Sequence, residues 1–149
     1  MRLTATAGLG FLLSVLWFDL MFDTQIRAHT GARLPAEVLD SIAAYYRRVT
    51  TNARPMNLLV ALVMGVTLAS LVGEIALGDA DTPVAVLVLA LAATGIGLAA
   101  ARTVRDARRL GAQEDTRDAQ ETLARSIYLD HVVCLFVILT ALVLQIGFT

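Results

Sequence analysis

The sequence predicts an all-α integral membrane protein, a four-helix bundle with cytoplasmic helix extensions, and three observations predict it. Of its 149 residues, 57% are hydrophobic and only 17% charged, where soluble domains hold roughly 45–50% and about 25%. Four nearly uncharged runs approach the length of about 20 residues that a helix needs to cross a hydrocarbon core of about 30 Å. Of the 12 basic residues, all but Arg2 fall in two connections, from Asp23 to Arg54 and from Arg102 to Arg125. That asymmetry marks loops retained in the cytoplasm. A single transmembrane domain, 1–149, follows, with spans near 3–22, 55–78, 82–101 and 127–148.

The same composition excludes several function classes. The 12 basic and 13 acidic residues nearly cancel, which leaves no electrostatic case for nucleic acid. Every basic residue is Arg, so neither a Schiff-base lysine nor a P-loop lysine is available. The single Cys134 excludes an intramolecular disulfide.

The first span, entered after Arg2, ends in the segment Trp17 to Asp23. Its length and the lack of a small-residue cleavage pattern speak for a retained span rather than a secretory signal. Between spans one and two, Val38, Leu39, Ile42, Tyr46 and Val49 recur at helical spacing opposite Glu37, Asp40, Ser41, Arg47 and Arg48. This pattern predicts an amphipathic helix, with Pro35 suited to its first turn. Span two begins at Pro55, and Asp81, Thr82 and Pro83 predict a tight hairpin into span three. Span three should continue through Arg102 to about Leu110, with Gly111 as its C-terminal cap. The fourth helix should begin near Glu114, well before the membrane, with Glu121 and Arg125 paired four residues apart. Ala61, Gly65, Ala69 and Gly73, and likewise Ala85, Ala93, Gly97 and Ala101, predict small-residue contact faces between helices.

With this topology both termini lie outside, and the ionisable residues collect at the cytoplasmic membrane boundary. Ionisable groups there are costly to retain and are the first place to look for function. Asp19, Asp23, Asp130 and His131 are the candidate catalytic residues, and Tyr46, Asn52, Asn57, Arg54, Arg102 and Arg105 the candidate ligand-binding residues. Asp19 stands out, because it is flanked by Trp17, Phe18, Leu20 and Met21 and needs a partner.

Three chemistries fit that layer. Asp19, Asp23, Asp130 and His131 would suit a hard metal such as manganese, iron or magnesium, although no Glu-x-x-His pair of the di-iron type occurs. Alternatively, Arg54, Arg102 or Arg105 holds Asp19 and leaves His131 to transfer protons. A transport path would want deeper acids, and only Glu74, near the opposite face, approaches this. Beside all three stands a structural reading, in which acids at helix starts and arginines at cytoplasmic ends serve dipole and orientation. A bis-histidine haem would require His29 and His131, the chain's two histidines, which lie at different depths. Neither a cofactor nor a metal is thereby selected. Cys134 reads as a small buried apolar residue. Tyr45, Trp17 and Tyr128 read as an interfacial aromatic belt, with Tyr46 also placed to line a pocket for an aromatic ligand.

Leu34-Pro35, Tyr-Tyr-Arg-Arg from Tyr45 to Arg48, Pro55 with Asn57, and His131 opening the fourth span form a layout that resembles the small four-span proteins of the anthrone-oxygenase-like group. Leu135 and Phe136 occupy the stretch where that group carries an Arg. Arg47, Arg48 and Asn52 also resemble part of the helix-two signature of the membrane-associated glutathione and eicosanoid enzymes. Pro55 stands where those enzymes have Glu, so the resemblance does not extend to thiolate activation.

The expected function is therefore a polar pocket at the cytoplasmic membrane boundary that binds or transforms a lipophilic small molecule. The competing expectation is an accessory or structural subunit of a larger membrane complex. Membrane lipids and a lipophilic ligand are the expected partners, with a homo-oligomer or complex subunits under the second expectation. All-Arg usage and Ala-rich spans suggest a GC-rich bacterial genome, hence a multi-pass protein of the bacterial inner (plasma) membrane.

Overall fold

The computed structural model describes residues 1–78 and 82–148, and for Arg54 the backbone alone. The chain forms α1 (Arg2–Asp23), a 3-10 turn (Thr24–His29), α2 (Ala36–Arg47), α3 (Arg54–Leu77), α4 (Thr82–Leu98), α5 (Val104–Ala112) and α6 (Arg117–Phe148). No strand occurs among the described residues. A π-helical turn, Arg48–Asn52, leads from α2 toward α3, and a second, Ala99–Thr103, joins α4 and α5 into one continuous rod. Four helices are long and apolar enough to cross a membrane: Arg2–His29, Pro55–Leu77, Thr82–Ala112 and Arg117–Phe148. They pack as an antiparallel ring in the order α1, α3, α4, α6.

Two hydrophobic cores divide the molecule. One fills the ring with Ala5, Leu9 and Leu12 of α1, Leu71 of α3, Val88, Ala92 and Ile96 of α4, and Ile138 and Ala141 of α6. The other joins Leu39, Ile42, Ala43 and Tyr46 of α2 to Ala107 and Leu110 of α5 and to Leu123, Ala124 and Ile127 of α6. The helix extensions expected from the sequence thus fold on one another as a cap, instead of projecting separately. Side chains of α6 secure the connection before α2: Arg125 donates to the carbonyls of His29 and Ala32, at 3.3 and 2.6 Å, and Arg117 to that of Leu34 at 2.8 Å. The ion pair of Arg125 with Glu121, four residues earlier, forms at 2.8 Å as the spacing predicts.

Two expectations require correction. Gly111 does not cap the rod, which ends one residue later with Gln113 in the left-handed region at φ 55°. Gly111 is needed for close approach instead: a Cβ there would lie 2.7 Å from the backbone nitrogen of Arg47. Nor do the small-residue stripes form the ring's inner face. Ala61, Gly65, Ala69, Ala93, Gly97 and Ala101 are exposed, and no atom lies within 4 Å of a Cβ built on Gly65 or Gly97. At about 100° per residue a ladder of four-residue steps drifts by about 40° each time and leaves any one face within a few turns. The inward faces combine steps of three and four instead, as in Ala85, Val88, Ala92 and Gly95, or Thr67, Leu71 and Glu74.

Of the tight hairpin expected between spans two and three, Asp81 lies outside the described residues. Gly78 ends α3 in the left-handed conformation at φ 70°, a helix stop that glycine takes without steric cost.

Candidate functional site

The candidate site lies where the two cores meet. Asp19 and Asp23 sit in the last turns of α1, where a carboxylate opposes the helix dipole and needs compensation from outside the helix. It comes from α2 and from the middle of α6. Asp23, fully buried, accepts from the Tyr46 hydroxyl at 2.8 Å through Oδ1 and meets Nδ1 of His131 at 2.7 Å through Oδ2. Asp19 accepts from the Tyr45 hydroxyl at 2.6 Å, and its Oδ2 faces Nε2 of His131 at 3.7 Å. Tyr46 also lies 3.3 Å from Nδ1 of His131. One imidazole thus sits between two carboxylates, each anchored by a tyrosine of α2.

Those tyrosines remain protonated donors. Burial pushes the Tyr45 phenol well above its ordinary value, and the carboxylates of Asp19 and Asp23 add to the shift. Burial acts the same way on Tyr46, reinforced by Asp23 and Asp19. The unfolded chain ionises tyrosines near pH 10, so stability should fall as pH climbs past about 10, where only the unfolded state loses these protons. Absorbance titration of the folded protein should leave at least two of its three tyrosines un-ionised at a pH of about 11. Ionisation of all three there without unfolding would contradict the network.

Beside this cluster opens a cavity of about 470 Å³, a size typical of small-molecule sites. Its walls are mostly apolar: Leu12, Val15 and Leu16 of α1, Val60 and Met64 of α3, Ile96 of α4, and Cys134 and Ile138 of α6. Asp19, Tyr45 and His131 form its polar end, and exposed Arg108 stands at the rim. Both π-helical turns contribute, through Val49 and Thr50 and through Ala99 and Thr103. Such turns widen a helix locally and recur at functional sites. The Asn57 amide stabilises the first by donating to the Thr50 carbonyl at 2.7 Å.

The other residues singled out in the sequence separate into distinct places. Asp130 does not join His131: it is buried against Arg102, whose Nε donates to Oδ2 at 2.9 Å, and lies 3.1 Å from the Thr103 hydroxyl. Arg105 pairs with Asp106 at 3.1 Å. Neither arginine holds Asp19, a place that Tyr45 and His131 take. Tyr46 lies behind the cavity wall, Asn57 is on it, and Asn52 is exposed away from it. The side chain of Arg54 is outside the described residues. Among the described residues no group of three or more His, Cys, Asp and Glu side chains is arranged to hold a metal ion. Both ring nitrogens of His131 face carboxylates, and His29 does not reach the cavity, so the haem pair does not assemble.

Tyr45 and Arg108 are cavity residues that the sequence reading missed. For Tyr45 a signal was present: Asp19 needed a donor, and the hydroxyl beside Tyr46 offered one. A helix-dipole role does not account for these acids, since Asp130 lies far inside α6 and Asp19 and Asp23 are at the C-terminal end of α1. Compared with known proteins, the chain matches no family model, no curated protein and no solved structure.

Proposed function

We propose that this protein binds or transforms a lipophilic small molecule in the cavity between its membrane-spanning helices, with Asp19 and His131 as the groups that meet the ligand. The observation that carries the reading is an apolar cavity of about 470 Å³ with that aspartate and that histidine facing each other at its polar end. The apolar walls favour a lipid-soluble guest, and a few convergent polar groups fix its orientation. Asp23 and Tyr46 hold the imidazole from behind, the arrangement a proton-transferring histidine requires. The arginine distribution supports placing this end at the cytoplasmic face of a bacterial inner membrane, with both termini outside.

Native mass spectra of the protein released from lipid nanodiscs test the reading. Wild type should retain a defined lipophilic adduct, and Asp19→Asn should lose it while remaining folded. Equal retention by the variant would sink the assignment of Asp19.

A second reading, an accessory subunit of a membrane complex, draws on a different observation. Gly65 and Gly97 point away from the ring into open space, the disposition of small residues that admit a neighbouring helix. Under that reading Gly65→Leu should abolish co-purification of other subunits and leave the cavity unchanged. Under the first it should alter neither.

A further inference from the structure

The polar end of the cavity contains an unfilled gap. Asp19 Oδ2 and His131 Nε2 face each other at 3.7 Å, too far apart for a hydrogen bond. Every other polar contact in the cluster is closed: Oδ1 of Asp19 by Tyr45, and both oxygens of Asp23 by Tyr46 and by Nδ1 of His131. Another buried carboxylate of the ring shows the contrast, because Glu74 Oε2 is met directly by the Gln145 amide at 2.8 Å. Two acceptors facing across 3.7 Å repel unless one carries a proton, so the pair presents one donor and one acceptor to the cavity.

Resting on the lipophile-binding reading, we propose that the group recognised at this gap is a neutral hydroxyl on a lipophilic skeleton. A hydroxyl donates and accepts at once. It can therefore engage Asp19 and His131 together, whereas the other common heads leave one of them unpaired. An ammonium only donates, a carboxylate only accepts and meets the acceptor oxygens of Asp19, and a hydrocarbon engages neither. Arg102 and Arg105 are paired with Asp130 and Asp106 and do not line the cavity, and the arginine that does, Arg108, is exposed at the rim, away from the Asp19–His131 gap.

The chain contains only two histidines, which makes the test direct. Protein labelled with 15N-histidine and with 13C in its isoleucine methyls is placed in nanodiscs and titrated with 1-decanol, decane, decylamine and decanoate, which share one tail. Methyl shifts of Ile96 and Ile138, on the cavity wall, report entry of the tail. The Nε2 resonance of His131 reports the head, and His29 is the internal control. The expected result is that 1-decanol moves both reporters and leaves His29 unchanged. The other heads should bind about tenfold more weakly, the equivalent of one lost hydrogen bond. Decane or decanoate binding as tightly as 1-decanol, or a methyl response to 1-decanol with no change at His131, overturns the hydroxyl assignment and leaves the cavity reading standing. Silent methyls with all four probes overturn both.

Discussion

Replacing Asp23 by Ala is expected to destabilise the folded protein by about 3 kcal/mol, the range for breaking a buried, hydrogen-bonded charge pair. Its carboxylate is fully buried and joins three helices, taking the Tyr46 hydroxyl at 2.8 Å and His131 Nδ1 at 2.7 Å. Truncation strands both buried partners, Tyr46 and His131, without their acceptor. Asp23→Asn should cost less, since its amide oxygen still accepts from one of them. Because Tyr46 and Asp23 share a contact, Tyr46→Phe and Asp23→Ala should be non-additive by about 1 kcal/mol in a double-mutant cycle. Unfolding midpoints measured in one detergent check both figures. A change under about 0.5 kcal/mol for Asp23→Ala, the size of an ordinary surface substitution, would contradict the network.

Gly111→Ala should be the second large effect, at about 2 kcal/mol, as overpacking of a closely fitted contact costs. The new Cβ would lie 2.7 Å from the nitrogen and 2.9 Å from the Cα of Arg47. These are backbone atoms that no rotamer change can move aside, so α2 must shift away from α5. The better helix propensity of alanine, about 1 kcal/mol, offsets only part of this. Since α2 carries Tyr45 and Tyr46, the shift should also loosen the anchors of Asp19 and Asp23. Hydrogen exchange should accelerate in Ala36–Arg47. Unchanged exchange there would mean that the two helices are not held as closely as described.

Much of the fold was legible in the sequence, because burial in lipid writes itself as length and hydropathy. The four spans, the amphipathic α2 and the long α6 follow from that signal and from helical period. Which face of a span turns inward was less legible. The four-residue ladder from Gly65 or Gly97 looked like a contact face, yet the lipid side of a span is as apolar as the ring side, so periodicity cannot choose between them. The two π-helical turns left no composition signal.

At the site, a lone acid in an apolar run marked Asp19 as needing a partner. The sequence could not say which. Arginines were the obvious candidates by charge, but Arg102 is drawn to Asp130 on the facing helix, and Tyr45 fills the place. Neighbouring residues of a helix point about 100° apart, so Tyr45 and Tyr46 reach Asp19 and Asp23 separately only because α1 presents those acids one turn apart.

An apolar cavity lies between the four spans beside His131, and by our proposal lipid-soluble molecules enter it. Crystals of the protein grown in a lipid phase and pressurised with xenon test it most directly, since xenon settles in apolar cavities without needing a specific ligand. Anomalous density is expected among Leu16, Met64, Ile96 and Ile138, and it should vanish in Ala99→Phe, which places a ring in the same space. The absence of xenon there in the wild type, with the helices closed on one another, would mean that the spans enclose no such cavity.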